Sequence, residues 1–282
     1  MTDYTRSFYE SQQADSLRSA RVVLPVLFAH HRPESVVDVG CGVGPWLRVC
    51  AELGIDEVCG IDGRHVPREA LMIPQERFHP ADLGERVGMD REFGLAISLE
   101  VAEHLPSSRA PAFIGDLTRL SKVVLFSAAI PYQGGTAHIN ENWPEYWATL
   151  FRACNYDPVD CLRPRLWNNG DVCWWYRQNL IVFAERDFIR GSGLAGACTD
   201  LAWPLSVVHP DMFLWAVARQ KRIAASRHPQ DVALRAAQAA NWQQGKAENP
   251  PQQRTYGMDF HDDFGRFAFL HRLGQIARRF FR

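Results

Sequence analysis

The sequence predicts a doubly wound α/β fold of seven strands, with an added helical C-terminal segment. Two observations carry this. Between residues 35 and 185, short runs of β-branched and aliphatic residues alternate with stretches long enough for one helix each, which is the pattern of strands joined by crossovers. The first such run, Val36, Val37 and Val39, opens into a glycine turn at Gly40, Gly42 and Gly44 before an apolar pattern resumes at Trp46, Leu47 and Val49. A strand-to-helix turn of this kind lets a ligand approach the backbone closely, because no Cβ stands in the way and positive φ costs little.

The elements follow in order. Residues 4–31 read as a helix, with Leu17, Val22, Val23, Leu24, Val26, Leu27 and Phe28 supplying apolar faces before Pro33 punctuates the entry to the first strand. Strands are expected near 35–39, 57–61, 77–81, 94–99, 121–127, 157–162 and 179–184, with helical crossovers at 45–53, 108–120 and 144–155. After Glu185 the alternation stops. Residues 187–204, rich in Gly and small side chains, read as a loop or linker. Helical stretches follow near 210–225 and 229–244, then an exposed connector at 245–257. Residues 264–282 carry five Arg and no acidic side chain, with Phe267, Phe269, Leu270, Leu273, Ile276, Phe280 and Phe281 on one half of a helical wheel. That is a basic amphipathic helix, fit to pack on its own domain, to dock on a partner or to lie peripherally on a membrane. The expected organisation is therefore a helical cover (1–34), a ligand-binding domain (35–186) and a helical extension (187–282).

Composition bounds the function. With 282 residues, 46% of them hydrophobic, the chain can bury a sizeable core. Lys and Arg number 31 against 32 Asp and Glu, so a net charge of -1 gives no global basic field for nucleic acid. The 7 Cys, at 41, 50, 59, 154, 161, 173 and 198, form no CxxC pair and read as reduced, mostly buried thiols. The first residues have no basic and apolar leader, and no run approaches the roughly 20 apolar residues that span a bilayer. The expectation is a cytoplasmic protein, monomeric or oligomeric.

A glycine turn alone often does no more than connect a strand to a helix. Here it comes with Asp38 two residues before it and Asp62 at the end of the next apolar run, where an acidic residue usually meets ribose hydroxyls. The spacing is GxGxG, whereas dinucleotide-binding proteins prefer GxGxxG. The stretch SVVDVGCGVGPWL resembles motif I of the class I S-adenosylmethionine-dependent methyltransferases. The resemblance implies a Rossmann-like methyltransferase sheet whose last two strands form an antiparallel end, and an N-terminal helix lying over the cofactor. It also implies that Asp38, Gly40, Gly42 and Gly44 meet the methionine part of S-adenosylmethionine, that Asp62 binds its ribose, and that Asp82 and Leu83 lie at the adenine, with Leu99 also on the cofactor side.

The fourth strand delivers Glu100, Glu103 and His104 at its carboxyl end, the edge at which open α/β sheets bind ligands. If this segment is one helical turn, the i, i+3, i+4 spacing points all three to one side. Two carboxylates and an imidazole converging there repel one another or lose hydration at high cost unless something positive lies between them, and a divalent cation meets that need. After the fifth strand, IPYQGGTAHINENWPEYW presents His138 from a loop at the same edge. Together these stretches resemble the metal-dependent branch of the family, the small-RNA 2′-O-methyltransferases and, for ExxEH, the ubiquinone-pathway O-methyltransferases. The resemblance implies Mg²⁺ or Mn²⁺ on Glu100, Glu103, His104 and His138, held against two adjacent substrate hydroxyls. The RNA enzymes' further domains and basic surface are missing from this sequence, so their substrate does not carry over.

Trp143, Tyr146 and Trp147 recur at helical spacing, more often a core stripe than a pocket; Trp147 is expected in the core and Trp143 at the acceptor. The cluster containing Trp174, Trp175, Tyr176, Arg177 and Asn179 is a better sugar-gripping candidate, since aromatic faces with amide and guanidinium donors hold sugar rings. The leading expectation is a metal-assisted O-methyltransferase of a vicinal diol on a glycan or small glycosylated molecule, with His138, His104 and Glu103 at the reaction. The alternatives are a metal-free O- or N-methyltransferase using a His general base, and a non-catalytic cofactor-binding assembly subunit.

Overall fold

The computed structural model describes residues 6–197 and 204–225, with side chains at 13–197 and 204–220. The chain divides into two compact units, Met1–Arg222 and Ile223–Arg282, and the fold lies in the first. The expected helix at 229–244, connector at 245–257 and basic helix at 264–282 fall outside the described residues.

Seven strands form one sheet: β1 Ser35–Val39, β2 Glu57–Asp62, β3 Phe78–Pro80, β4 Leu95–Leu99, β5 Val123–Ser127, β6 Tyr156–Val159 and β7 Ile181–Glu185. Their order is β3-β2-β1-β4-β5-β7-β6, parallel except that β7 runs antiparallel to both β5 and β6. β1, β4 and β5 are buried along their whole length, as a parallel sheet covered on both faces requires. Alternate residues feed two cores. Val36, Leu95, Ile97 and Leu125 pack towards helix α1 (Arg6–Phe28) and helix α2 (Pro45–Glu52). Val37, Ala96, Val124 and Phe126 pack towards helix α3 (Ala110–Leu120) and helix α4 (Pro144–Ala153). Trp147 of α4 is 2% exposed and Phe151 stacks on Phe183 with ring centroids 3.9 Å apart, so the Trp147 side of the expected stripe is core.

Chain order sets the site. From β1 the chain winds outward to β3 and then returns to β4 on the other side of β1, which makes the β1–β4 gap the topological switch point. Ligand crevices in open α/β sheets lie outside the carboxyl ends of the strands at that gap.

Two expectations are corrected. The strand expected at 157–162 ends at Val159, because Asp160 turns to bind the guanidinium of Arg163, which opens helix α5 (Arg163–Leu166). Of the linker expected at 187–204, residues 187–197 are not free, and 198–203 lie outside the described residues. Helix α6 (Trp174–Asn179) precedes β7, and helix α7 (Arg186–Arg190) follows it directly. Phe188 and Ile189 pack on the core and Leu194 and Ala197 are buried, so this segment adds to the core that also holds α1 and α2. Helix α8 (Pro210–Ala225) is where the pattern placed it. Its approach is fixed by Arg163 donating to the Leu205 carbonyl at 2.6 Å, by Gln178 Oε1 accepting from the His209 amide at 2.8 Å, and by an Arg177–Asp211 ion pair at 2.7 Å.

Arg163 is fully buried and Asp160 nearly so. Removing one partner of such a pair strands the other charge, at about 3–5 kcal/mol, whereas the exposed Arg186–Asp157 pair contributes under about 1 kcal/mol. Urea unfolding is expected to show Arg163→Met destabilised by the larger amount and Arg186→Met by the smaller. Equal shifts would contradict a structural role for the buried pair.

Candidate active site

The glycine turn closes the end of β1. The Gly40 amide donates to the Ile61 carbonyl at 2.8 Å, extending the β1–β2 ladder into the turn. Gly40 has φ 86, and a Cβ there would lie 2.3 Å from Val101 Cγ2, so only glycine lets the turn close over the chain leaving β4. Gly44, also left-handed, precedes α2. Asp62 Oδ2 accepts the Gly42 amide at 2.7 Å and Oδ1 the Gly63 amide at 2.6 Å, so this carboxylate is oriented by the loop it faces. Asp38 is 3% exposed beneath the turn, and burial, with the Asp62 charge second, raises its pKa well above the usual range.

Two adjoining cavities open at the switch point. The smaller, about 180 Å³, is lined by Asp38, Gly42, Leu99, Tyr176 and residues of α1. The larger, about 1250 Å³, is lined by Asp62, Asp82, Leu83, Glu103, His104 and His138 among others. Gly40, His65, Glu100 and Trp175 border both. The larger exceeds the roughly 300–1,000 Å³ of an ordinary ligand pocket, which leaves room for two ligands side by side. Its Asp82–Leu83 lip is tied down by Arg109, which donates to the Leu83 and Glu85 carbonyls and pairs with Asp116.

After β4 the chain does not form the single helical turn expected of ExxEH. Glu100 takes φ 55, and only Ala102–His104 forms a 3-10 turn. The break turns Glu100 away from its neighbours. Its carboxylate accepts from Gln133 Nε2 at 2.7 Å and Asn179 Nδ2 at 3.1 Å. Burial raises its pKa, opposed by these amides and Ser127. The ligand atoms that gather, all within 4.8 Å of one another, belong to Glu103, His104 and His138, and Glu100 is not in that group.

Glu103 is fully buried, and neither carboxylate oxygen has a hydrogen-bond partner. Desolvation pushes its pKa well up and the Glu100 charge adds to this, with the nearby amides of Glu103 and Ala129 offsetting only part. His104 is exposed where it borders the cavity, and the cavity walls desolvate only part of its ring. That desolvation, then repulsion from His138, lowers its pKa. The two rings meet edge to face, 4.8 Å between centroids.

The loop bearing His138 is clamped on this turn. The Ile139 and Asn140 amides both donate to the Glu103 carbonyl, at 2.9 and 3.0 Å. Glu141 accepts from His138 Nδ1 at 3.0 Å and from the amides of Tyr132 at 2.8 Å and Gly134 at 2.6 Å. One carboxylate thus fixes the loop and the ring together, leaving Nε2 as the ring nitrogen without a partner among the described residues. A Cβ at Gly135 would lie 2.1 Å from His138 Nε2, so a larger residue there would displace the ring from this position. Sequence reasoning missed Glu141, Gln133 and the role of Asn179. The available signal for Glu141 was its i+3 spacing from His138.

The expected substrate residues separate. Trp175 borders both cavities, and Tyr176 lines the smaller one with its hydroxyl 3.2 Å from Ser16 Oγ. Trp143 is 42% exposed at the start of α4 and lines neither cavity. Arg177 is turned to the Trp167 carbonyl and to Asp211, holding α8 instead of facing the cleft. Trp174 and Trp215, the latter from α8, complete the aromatic wall.

The sheet order, the glycine turn with Asp62 and the cleft at the switch point define an S-adenosylmethionine-dependent methyltransferase. The chain belongs to the methyltransferase domain family, which it matches over residues 9–176. It is 31% identical over 101 residues to a "probable tocopherol O-methyltransferase, chloroplastic" of Oryza sativa subsp. japonica, a match covering 33% of this chain and 27% of that protein. Among solved structures it is similar to the methyltransferase domain of bacterial CtHen1 (18% identity, 61% of this chain and 98% of that one, TM-score 0.45). It is also similar to a sugar N-methyltransferase of a Streptoalloteichus species (15%, 66% and 94%, TM-score 0.47). A third is the magnesium protoporphyrin IX methyltransferase of Synechocystis with bound SAM (18%, 66% and 86%, TM-score 0.46). No helix among the described residues is long and apolar enough to cross a membrane.

The buried Glu103 gives a pH test. Its pKa in the folded chain lies above the ordinary 4.5, so the folded state binds the proton more tightly than the unfolded state. Stability is then greatest below that value and falls as pH rises towards the folded pKa. Glu103→Gln removes this loss. In chelator, its melting temperature is expected to exceed that of the native chain by a few degrees at pH 8 and by less at pH 5. A margin independent of pH would show that Glu103 carries no uncompensated charge.

Proposed function

We propose that the chain transfers the methyl group of S-adenosylmethionine to one hydroxyl of a vicinal diol on a sugar or small glycosylated molecule, with a divalent cation held by Glu103, His104 and His138. The observation that carries this reading is the Glu103 carboxylate, buried with both oxygens unpartnered beside two imidazoles. The donor set fits such an ion: one carboxylate, and two ring nitrogens of which His138 has its other nitrogen pinned by Glu141. An oxygen with two nitrogens suits Mn²⁺ or Fe²⁺ as well as Mg²⁺. A cation bound there supplies Lewis-acid polarisation of an acceptor hydroxyl, which is too weak an acid to react at neutral pH by itself.

The chain's own residues do the remaining work. Asp62, already oriented by Gly42 and Gly63, keeps lone pairs free for the ribose hydroxyls. The Asp82–Leu83 lip flanks the adenine, and the cavity beneath Gly40, with Asp38, Gly42 and Leu99, takes the methionine end. Glu100, bordering both cavities, sits where the sulfonium meets the acceptor, and its carboxylate favours that positive charge. The methyl passes from sulfur to oxygen: the S–C bond breaks, the O–C bond forms and the acceptor's proton leaves to solvent. Trp175 shields the junction of the cavities from water.

A second reading has its own support. The Glu141–His138 pair is built as a carboxylate-oriented imidazole, and with Nδ1 held, Nε2 is a general base for a metal-free transfer. The two readings part on chelation. Methylation of a glycoside panel is expected to stop in EDTA, return with Mn²⁺ or Mg²⁺, and fail on deoxy analogues lacking one of two adjacent hydroxyls. Activity that survives chelation and loss of the second hydroxyl would favour the His base. Glu141→Ala is expected to raise the metal concentration needed for half activity by about 10–100-fold, and an unchanged requirement would count against the cation.

A further inference from the structure

Arg219 on α8 stands apart from the other arginines around the cleft. Arg109, Arg163 and Arg177 each hold a carboxylate. Among the described residues, Arg219 has no carboxylate partner and none of its five N–H donors meets an acceptor. Its position is nevertheless defined. The guanidinium carbon lies over the Trp215 ring, 5.4 Å from the centroid, and Nη1 is 2.2 Å from where a Cβ on Gly134 would stand. Gly134 and Trp215 both line the larger cavity, and the guanidinium lies against both at its rim, without itself being a lining residue. Trp174, 6.1 Å from Trp215 at an interplanar angle of 38°, continues that wall. Arg64, exposed and also without a carboxylate partner among the described residues, lines the same cavity.

The cavity floor is acidic, with Asp62, Asp82, Glu100 and Glu103. An anionic group is repelled there and is matched only at the arginines. A planar guanidinium fixed by stacking is pre-organised for bidentate binding of an oxyanion, and tryptophan faces suit the C–H face of a sugar ring. We propose that the acceptor is an anionic sugar, carrying a carboxylate or phosphate that Arg219 binds while its ring lies along Trp215 and Trp174. This rests on the diol reading of the site.

The test is calorimetric titration of three probes with the same vicinal diol into the full chain saturated with S-adenosylhomocysteine: methyl glucoside, methyl glucuronoside and glucose 1-phosphate. Turnover of each is measured alongside with S-adenosylmethionine. One or both anionic probes are expected to bind about tenfold more tightly than the neutral one, with the margin shrinking at high salt. The arm that gains identifies carboxylate or phosphate. Arg219→Gln is expected to erase the margin while leaving methyl glucoside binding unchanged. Equal affinity for all three probes overturns the proposal, as does an Arg219→Gln variant that loses all three alike. If methyl glucoside is methylated and the anions show no advantage, only the anionic acceptor falls. If none of the three binds or is methylated, the diol reading falls with it.

Discussion

A carboxylate shut away from water with no donor on either oxygen is the constraint around which this site is built. Left alone, Glu103 must hold a proton or lose stability. The surroundings do not supply a neutralising arginine, as they do for Asp116 and Asp160. They supply two imidazoles and an open cavity instead. The backbone carbonyl of the same residue anchors the following loop through the Ile139 and Asn140 amides. Glu103 therefore places His138 through its main chain and faces it with its side chain.

The larger architecture serves this arrangement. Crossing from β3 back to β4 creates the gap, and the Gly40 turn closes over Val101 to set how the chain leaves β4. The amide network of Gln133 and Asn179 holds Glu100 apart from the gathered ligands, so two acidic residues three positions apart face different duties. Arg163, Gln178 and Arg177 spend their hydrogen bonds on the approach to α8. That helix brings Trp215 to the cavity wall from outside the sheet, with Arg219 stacked on it. The acceptor side of the cleft is thus assembled from loops and helices, while the Gly40–Asp62 side is part of the strand ends.

The difference explains what the sequence made legible. β1, β4 and β5, buried on both faces, read as continuous apolar runs that anchor the pattern, and all seven strands were placed within a few residues, as were α2, α3 and α4. Asp62 and the glycines are strand-end features at fixed spacing and were found with them. The Glu103–His104–His138 cluster was anticipated from two stretches because both leave the carboxyl edge of the sheet. Glu100 was misjudged because regular spacing assumes a helical turn, and a left-handed φ at a non-glycine residue leaves no mark in composition. Arg177 and Trp143 looked like acceptor contacts by residue type. Their directions depend on α8 and on the cap of α4, which are tertiary facts. Glu141 lay hidden because a carboxylate beside a histidine in a polar loop is unremarkable until three donors are seen to converge on it.

The most direct test of the central claim is titration of Mn²⁺ into the full chain saturated with S-adenosylhomocysteine, followed by calorimetry and beside a Glu103→Gln variant. One ion bound per native chain, and none by the variant at the same concentrations, is the predicted result. A native chain that binds no ion, or a variant that binds as well as the native chain, would contradict the assignment of Glu103 as the centre of a cation site.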